Sequence, residues 1–179
     1  MAEPRTIRNL ALAGFMGTGK SSVGQLVAQE LGFEFVDTDA MIEARTGRNI
    51  GDIFTEAGEA LFRRLETEVL DGLAARADMV ISTGGGLIVN PANLASLKSH
   101  ALVACLWATP ATILERTRGH THRPLLQDPD PLSKIRELLA QREKAYKQAD
   151  LLINTESRSI REVAQHVLLQ FRQAREKSG

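Results

Sequence analysis

The chain has one cysteine in 179 residues, so no internal disulfide can staple it. That cysteine, Cys105, lies in the apolar run 101–107 with no cationic neighbour in sequence to lower its pKa, and it reads as a small core hydrophobe. An excess of charge of either sign is also missing: Lys and Arg together number 22, as do Asp and Glu. A nucleic-acid footprint needs a basic excess or stripe, so no nucleic-acid partner is expected. No apolar stretch approaches the roughly 20 residues needed to span a bilayer. Residues 1–5 lack the apolar core of a signal peptide, and a cytoplasmic protein with no membrane partner is the expectation. With 43% apolar and 25% charged residues the composition is that of an ordinary globular chain, and the length fits a single domain over 1–179.

The strongest signal present is Gly14-Phe15-Met16-Gly17-Thr18-Gly19-Lys20-Ser21, which matches G-x-x-x-x-G-K-[ST]. It follows the apolar run of 7–13, a strand expected to be buried on both faces, and opens an amphipathic helix over 20–31. Glycines let the backbone curl so that successive N–H groups point inward, and the helix adds its positive end. Gly17, Thr18, Gly19, Lys20, Ser21 and Ser22 therefore form the expected phosphate-binding set. Lys20 can reach the outer phosphates, and the Ser21 hydroxyl can ligate Mg²⁺.

Strands are expected at 34–37, 79–82, 101–107 and 151–154. Helices are expected from near Ala40, over 52–75 with a break near Gly58, over 91–98 and 110–116, over 132–149, and over 159–175. Alternation of this kind predicts right-handed crossovers and a parallel sheet covered on both faces, with ligands at the carboxyl ends of the strands. The polar clusters 14–21, 37–39, 83–86 and 155–158 all follow strands. Residues 117–128 form a polar, turn-prone loop long enough to be a lid.

Three further constellations carry chemistry. Asp37-Thr38-Asp39 would place two carboxylates on one face of an extended segment, one to serve a metal and one to take a proton from an attacking hydroxyl. Thr38 or Asp39 could equally cap the next helix. Thr83-Gly84-Gly85-Gly86 stands where a general P-loop protein carries an acidic residue, and its backbone can approach a ligand closely. Arg63, Arg64, Arg116, Arg118, Arg123, Arg142 and Arg158 lie in or beside segments expected to reach the strand ends. Arg123, between Gly/His/Pro and two leucines, has the setting of a cation on a hinged lid. His120 and His122 are assigned no role.

Together these segments resemble the shikimate kinase family from about Leu10 to Arg172. The likeness rests on G-F-M-G-T-G-K-S at 14–21, D-T-D at 37–39, F-R-R-L-E at 62–66 and T-G-G-G at 83–86. It continues through R-x-x-x-x-x-x-R-P-L-L at 116–126, Q-R-E-K-A-Y at 141–146 and T-x-S-R at 155–158. The resemblance implies a three-layer P-loop kinase fold of the nucleoside monophosphate kinase type. Its five-stranded parallel sheet would have the order 2-3-1-4-5, with a substrate-binding region at about 38–66 and a lid at about 117–128. It implies transfer of the ATP γ-phosphoryl group to the 3-hydroxyl of shikimate, with Mg²⁺ as cofactor and a monomeric chain. By the same resemblance Ser21 ligates the metal directly and Asp37 more remotely, while Asp39 holds shikimate hydroxyls and serves as base or orienter. Arg63 and Arg142 would grip the substrate carboxylate, and Glu66 would orient Arg63 or a hydroxyl. Gly84, Gly85 and Gly86 would line the substrate site, with Gly85 binding through its backbone. Lys20 and Arg123 would meet the phosphates in catalysis, and Arg116 and Arg158 would flank the adenine. The alternatives are another small-metabolite P-loop kinase of gluconate or nucleotide type, or a nucleotide switch without metabolite kinase activity.

Overall fold

The structure is a computed structural model and describes residues 5–118 and 128–178. Its centre is a five-stranded, all-parallel sheet of order β2-β3-β1-β4-β5. The strands are β1 (Asn9–Ala13), β2 (Glu34–Asp37), β3 (Met79–Ser82), β4 (Ala101–Trp107) and β5 (Leu151–Asn154). The first strand is shorter than its apolar run suggests, since Ile7 and Arg8 precede the ladder. Among the described residues seven helices surround the sheet: α1 (Lys20–Leu31), α2 (Thr38–Thr46), α3 (Ile50–Leu73), α4 (Pro91–His100), α5 (Pro110–Thr117), α6 (Pro131–Tyr146) and α7 (Ile160–Ser178).

The two-residue period of the strands explains the layering. On β1, Ala11 and Ala13 face one apolar cluster while Leu10 and Leu12 face another, and β4 divides its side chains in the same way. The first cluster is filled by Leu70 and Leu73 of α3 with α4, α5 and α6, and the second by α1 and α7. A smaller cluster of Ile42, Ile53, Phe62 and Val69 joins α2 to α3 away from the sheet. The interruption expected near Gly58 is present. Gly58 has φ 80° and ψ 170° inside α3, a conformation open to glycine and costly for a residue with a Cβ. A single 3-10 turn, Leu87–Val89, follows β3 and has no clear periodic signature in so short a segment. Among the described residues no helix is long and apolar enough to cross a membrane.

At the amino ends of the strands a polar group is fully buried. His100 is 1% exposed, and its Nδ1 lies 2.9 Å from the side-chain nitrogen of Asn9. Asn9 Oδ1 accepts from the Met79 N–H, and its amide nitrogen also donates to the Arg76 carbonyl. The amide orientation is thereby fixed, and Nδ1 of His100 must accept. The imidazole is therefore neutral, with its proton on Nε2. Burial pushes its pKa below the ordinary 6.5, helped by the charges of Arg8 and Arg5. A charged ring would set Nδ1–H against the Asn9 amide.

In the window between this lowered pKa and the unfolded value, the unfolded chain binds the extra proton. Stability is thus complete above the unfolded pKa and lost as pH falls below it. Thermal midpoints measured from about pH 7 down to about pH 5 should fall, and His100→Gln should flatten that slope. An unchanged slope in the variant would exclude His100 as its source.

Candidate active site

The chemistry collects at the carboxyl ends of β1, β3 and β2. After β1 the chain turns through Gly14, Gly17 and Gly19, with φ of 127°, 76° and 94°. A Cβ on Gly14 would collide with the Leu106 carbonyl of β4, so the loop is pressed directly against the neighbouring strand. Thr18 is buried and ties the loop to itself through a 2.7 Å bond from its hydroxyl to the Phe15 carbonyl. No side chain caps α1 at Gly19, which leaves its first N–H groups to the loop's concavity. Lys20 Nζ donates to the Gly14 and Phe15 carbonyls at 2.8 and 2.9 Å, a posture that braces the loop. The Lys20 charge also acts on Cys105, yet burial dominates and pushes that thiol up to about 12.

Ser21 Oγ donates to Asp37 Oδ2 at 3.2 Å and lies 3.4 Å from Ser82 Oγ. These three oxygens come from α1, β2 and β3. Ser82 sits where the acidic residue was missing from the sequence, and a hydroxyl there gave no sequence signal. The pair Asp37 and Asp39 does not lie on one extended segment. Asp37 ends β2 and is the N-cap of α2, accepting from the N–H groups of Asp39 and Ala40, while Thr38 and Asp39 are already helical. The cap is therefore Asp37 and not Thr38 or Asp39. The reason is that helical φ/ψ begins at Thr38, whose hydroxyl is engaged elsewhere.

That engagement organises the glycine turn. The buried Thr38 Oγ1 accepts from Gly84 N–H at 3.0 Å, which joins the end of β2 to the end of β3. An incoming ligand is left the N–H groups of Gly85 and Gly86. A Cβ on Gly84 would stand 2.7 Å from Asp39 Oδ1 and 2.8 Å from Glu66 Oε1. One on Gly86 would strike the Arg63 guanidinium, and one on Gly85 would touch Arg142 at 3.5 Å. The turn is thus walled by two carboxylates and two guanidiniums, brought together from α2, α3 and α6.

These walls are electrostatically unequal. Glu66 is fully buried, and its Oε2 accepts from Arg63 Nη1 at 2.7 Å while its Oε1 has no hydrogen-bond partner among the described residues. Burial raises the Glu66 pKa above the ordinary carboxylate value. Arg63 opposes that shift, and the Asp39 charge adds to it. Burial works against the Arg63 charge, but pairing with Glu66 and Glu59 outweighs it and keeps the guanidinium ionised. Arg142 instead lies over the Phe15 ring, 5.3 Å from its centroid. Among the described residues no carboxylate comes within 4 Å of it.

The other expected residues divide. Arg116 is held by the Thr155 hydroxyl at 2.9 Å and the Thr155 carbonyl at 2.8 Å, and it reaches the Gly17 carbonyl at 3.4 Å, bridging the phosphate loop to the turn after β5. Ser22, Arg118 and Arg158 are exposed. Arg64 is 70% exposed at its side chain and faces Glu68, so it does not join the site. Arg123, His120, His122 and residues 119–127 of the expected lid lie outside the described residues. Among the described residues no three of His, Cys, Asp and Glu gather to hold a metal.

A family model for shikimate kinase matches residues 16–172. The chain belongs to the shikimate kinase family. It is 43% identical over 165 residues to the shikimate kinase of Thermodesulfovibrio yellowstonii, covering 92% of this chain and 95% of that one. Among solved structures it is similar to the shikimate kinase from Acinetobacter baumannii in complex with shikimate. The TM-score there is 0.89 at 39% identity, with 94% of this chain and 95% of that chain covered. A gluconokinase from Sinorhizobium meliloti gives a TM-score of 0.62 at 17% identity, a likeness of fold alone.

Gly84→Ala tests whether the walls depend on the bare turn. Its Cβ must displace Asp39 and Glu66, so nucleotide affinity by calorimetry should stay within about threefold while turnover with the acceptor falls by roughly a hundredfold. Equal losses of both would mean that the turn supports the whole fold instead.

Proposed function

We propose that this chain transfers the γ-phosphoryl group of ATP to the 3-hydroxyl of shikimate, giving shikimate 3-phosphate and ADP. The observation that carries the reading is the placement of Asp39, Glu66, Arg63 and Arg142 around a triple-glycine turn beside the phosphate loop. A small polyhydroxy acid needs cations for its carboxylate, carboxylates for its hydroxyls and bare backbone against its ring. This turn offers all three.

In the mechanism the loop N–H groups of 17–20 and the end of α1 receive the β- and γ-phosphates, and Lys20 exchanges its bonds to loop carbonyls for phosphate oxygens. Arg142 and Arg63 hold the shikimate carboxylate, with Glu66 keeping Arg63 in place. Asp39 accepts a hydrogen bond from the 3-hydroxyl. As that oxygen bonds to the γ-phosphorus and the bond to the ADP oxygen breaks, the hydroxyl proton passes to Asp39. Charge develops on the transferred group and on the leaving oxygen, where Lys20 and the backbone N–H groups stabilise it. Arg123 of the lid would add a cation there. Arg116 and Arg158 would flank the adenine, and Thr18 and Ser22 would complete the phosphate shell.

Ser21 and Asp37 fit a Mg²⁺ ion, with Ser82 beside them. The donor set is all oxygen and carries one charge, which suits an ion that keeps its waters and shares phosphate oxygens. Bound there, Mg²⁺ would neutralise phosphate charge and orient the nucleotide. Monomeric assembly, a cytoplasmic setting and a single unit over 1–179 complete the reading.

ADP release with ATP and Mg²⁺ should depend on shikimate and not on gluconate or a nucleoside monophosphate. Asp39→Asn should lower kcat by roughly a hundredfold or more. Release indifferent to all three acceptors would overturn the reading. Separately, Arg142→Ala should weaken shikimate binding by roughly 1.5–3 kcal/mol and leave ATP affinity intact. Loss of ATP affinity with shikimate affinity kept would reassign Arg142.

A further inference from the structure

Tyr146 is the only tyrosine in the chain and the last residue of α6. It is buried in the cluster that α5 and α6 share with the sheet, 7% exposed. A residue needed only to fill that space would have no use for a hydroxyl, since burying one without a partner costs stability. Here the hydroxyl donates to the Gly85 carbonyl at 2.6 Å. Arg142 lies one helical turn earlier on the same face of α6 and stands beside Gly85.

We propose, resting on the shikimate kinase reading above, that Tyr146 is a positioning residue for the acceptor, holding the glycine turn and Arg142 in one register. The geometry follows from peptide planarity. In a trans peptide the carbonyl of Gly85 and the N–H of Gly86 point in opposite directions, so fixing one fixes the other. With the Gly85 carbonyl drawn toward Tyr146, the Gly86 N–H faces away from it. Glycine needs such a tether more than other residues do, because its own backbone preferences are weak.

Arg142 has the complementary problem. It has no carboxylate at hand among the described residues, and a long side chain left to itself samples many rotamers. It lies over the Phe15 ring and stands beside Gly85, the residue whose carbonyl the Tyr146 hydroxyl holds. One bond from α6 therefore ties the turn after β3 to the helix that carries Arg142. Burial pushes the hydroxyl's pKa up to about 12, so it remains a donor at any working pH.

Tyr146→Phe removes one oxygen and keeps the ring. The expected result is a shikimate KM raised by roughly tenfold, with the ATP KM within about twofold of the parent. A shikimate KM that stays the same, or both KM values rising together with a lowered thermal midpoint, would overturn the proposal and leave Tyr146 a packing residue. Should the variant fold poorly, the unaltered sequence grown on 3-fluorotyrosine carries its label at this one position. Its single fluorine resonance should shift when shikimate is added without nucleotide, and a resonance that does not move would overturn the proposal equally. Absence of shikimate turnover in the unaltered enzyme would overturn the underlying reading and this one with it. Turnover with an unchanged KM in Tyr146→Phe would overturn this one alone.

Discussion

The structure depends on a close approach at one point, where Gly14 meets the Leu106 carbonyl with no room for a side chain between them. Because β1 and β4 pair through five registered positions up to Ala13 and Cys105, the phosphate loop begins hard against its neighbouring strand. That contact fixes the loop's direction, and Gly17, pressed against Thr117 of α5, fixes its far side. The loop is therefore clamped between two elements, and its N–H groups are arranged before any ligand arrives. Preorganisation of this kind is what makes a dipole-lined nest bind anions well, since little reorganisation is left to oppose binding.

A second consequence of the clamp is that β3 and β2 must bring the acceptor to the loop. They do so through side chains that are themselves buried. Thr38 spans from α2 to Gly84, and Glu66 holds Arg63, three residues earlier on the same helix, against the turn. Neither is exposed, so neither can drift with solvent. The site is held from beneath by hydrogen bonds in a low-dielectric interior, where such bonds are strong and an unmade one is costly.

Much of this was legible in the chain before any coordinates. The spacing of Gly14, Gly19 and Lys20 is rigid because each glycine answers a backbone demand. Likewise the alternation of runs near 79, 101 and 151 with amphipathic segments admits few topologies. The break at Gly58 was also visible, since an isolated glycine within a helical pattern marks a weak point. Residues with two possible local roles were harder to read. Asp37 looked like half of a carboxylate pair on a strand, and it is a helix cap, because the end of β2 and the start of α2 share one residue. Ser82 carried no signal, as an internal serine has the same look whether it fills space or holds another group, and Tyr146 stood only as the last letter of Q-R-E-K-A-Y with no role attached. Arg64 shows the converse. A cation beside Arg63 on a helix points about 100° away from it, and only the three-dimensional frame shows which of the two faces inward.

Cys105 lies in β4 one residue before the carbonyl that clamps the loop, and it is wholly buried. With its pKa pushed up to about 12, the thiolate fraction near neutrality is on the order of one part in a hundred thousand. Reagents that attack thiolates thus find nothing to attack while the sheet is closed. Once β4 separates from its neighbours, the sulfur returns to ordinary solvent and ordinary reactivity. The lone sulfhydryl is in effect a built-in stopwatch: its rate of labelling counts openings of the central sheet, the deepest layer of the molecule, and ignores movements of the loops above it.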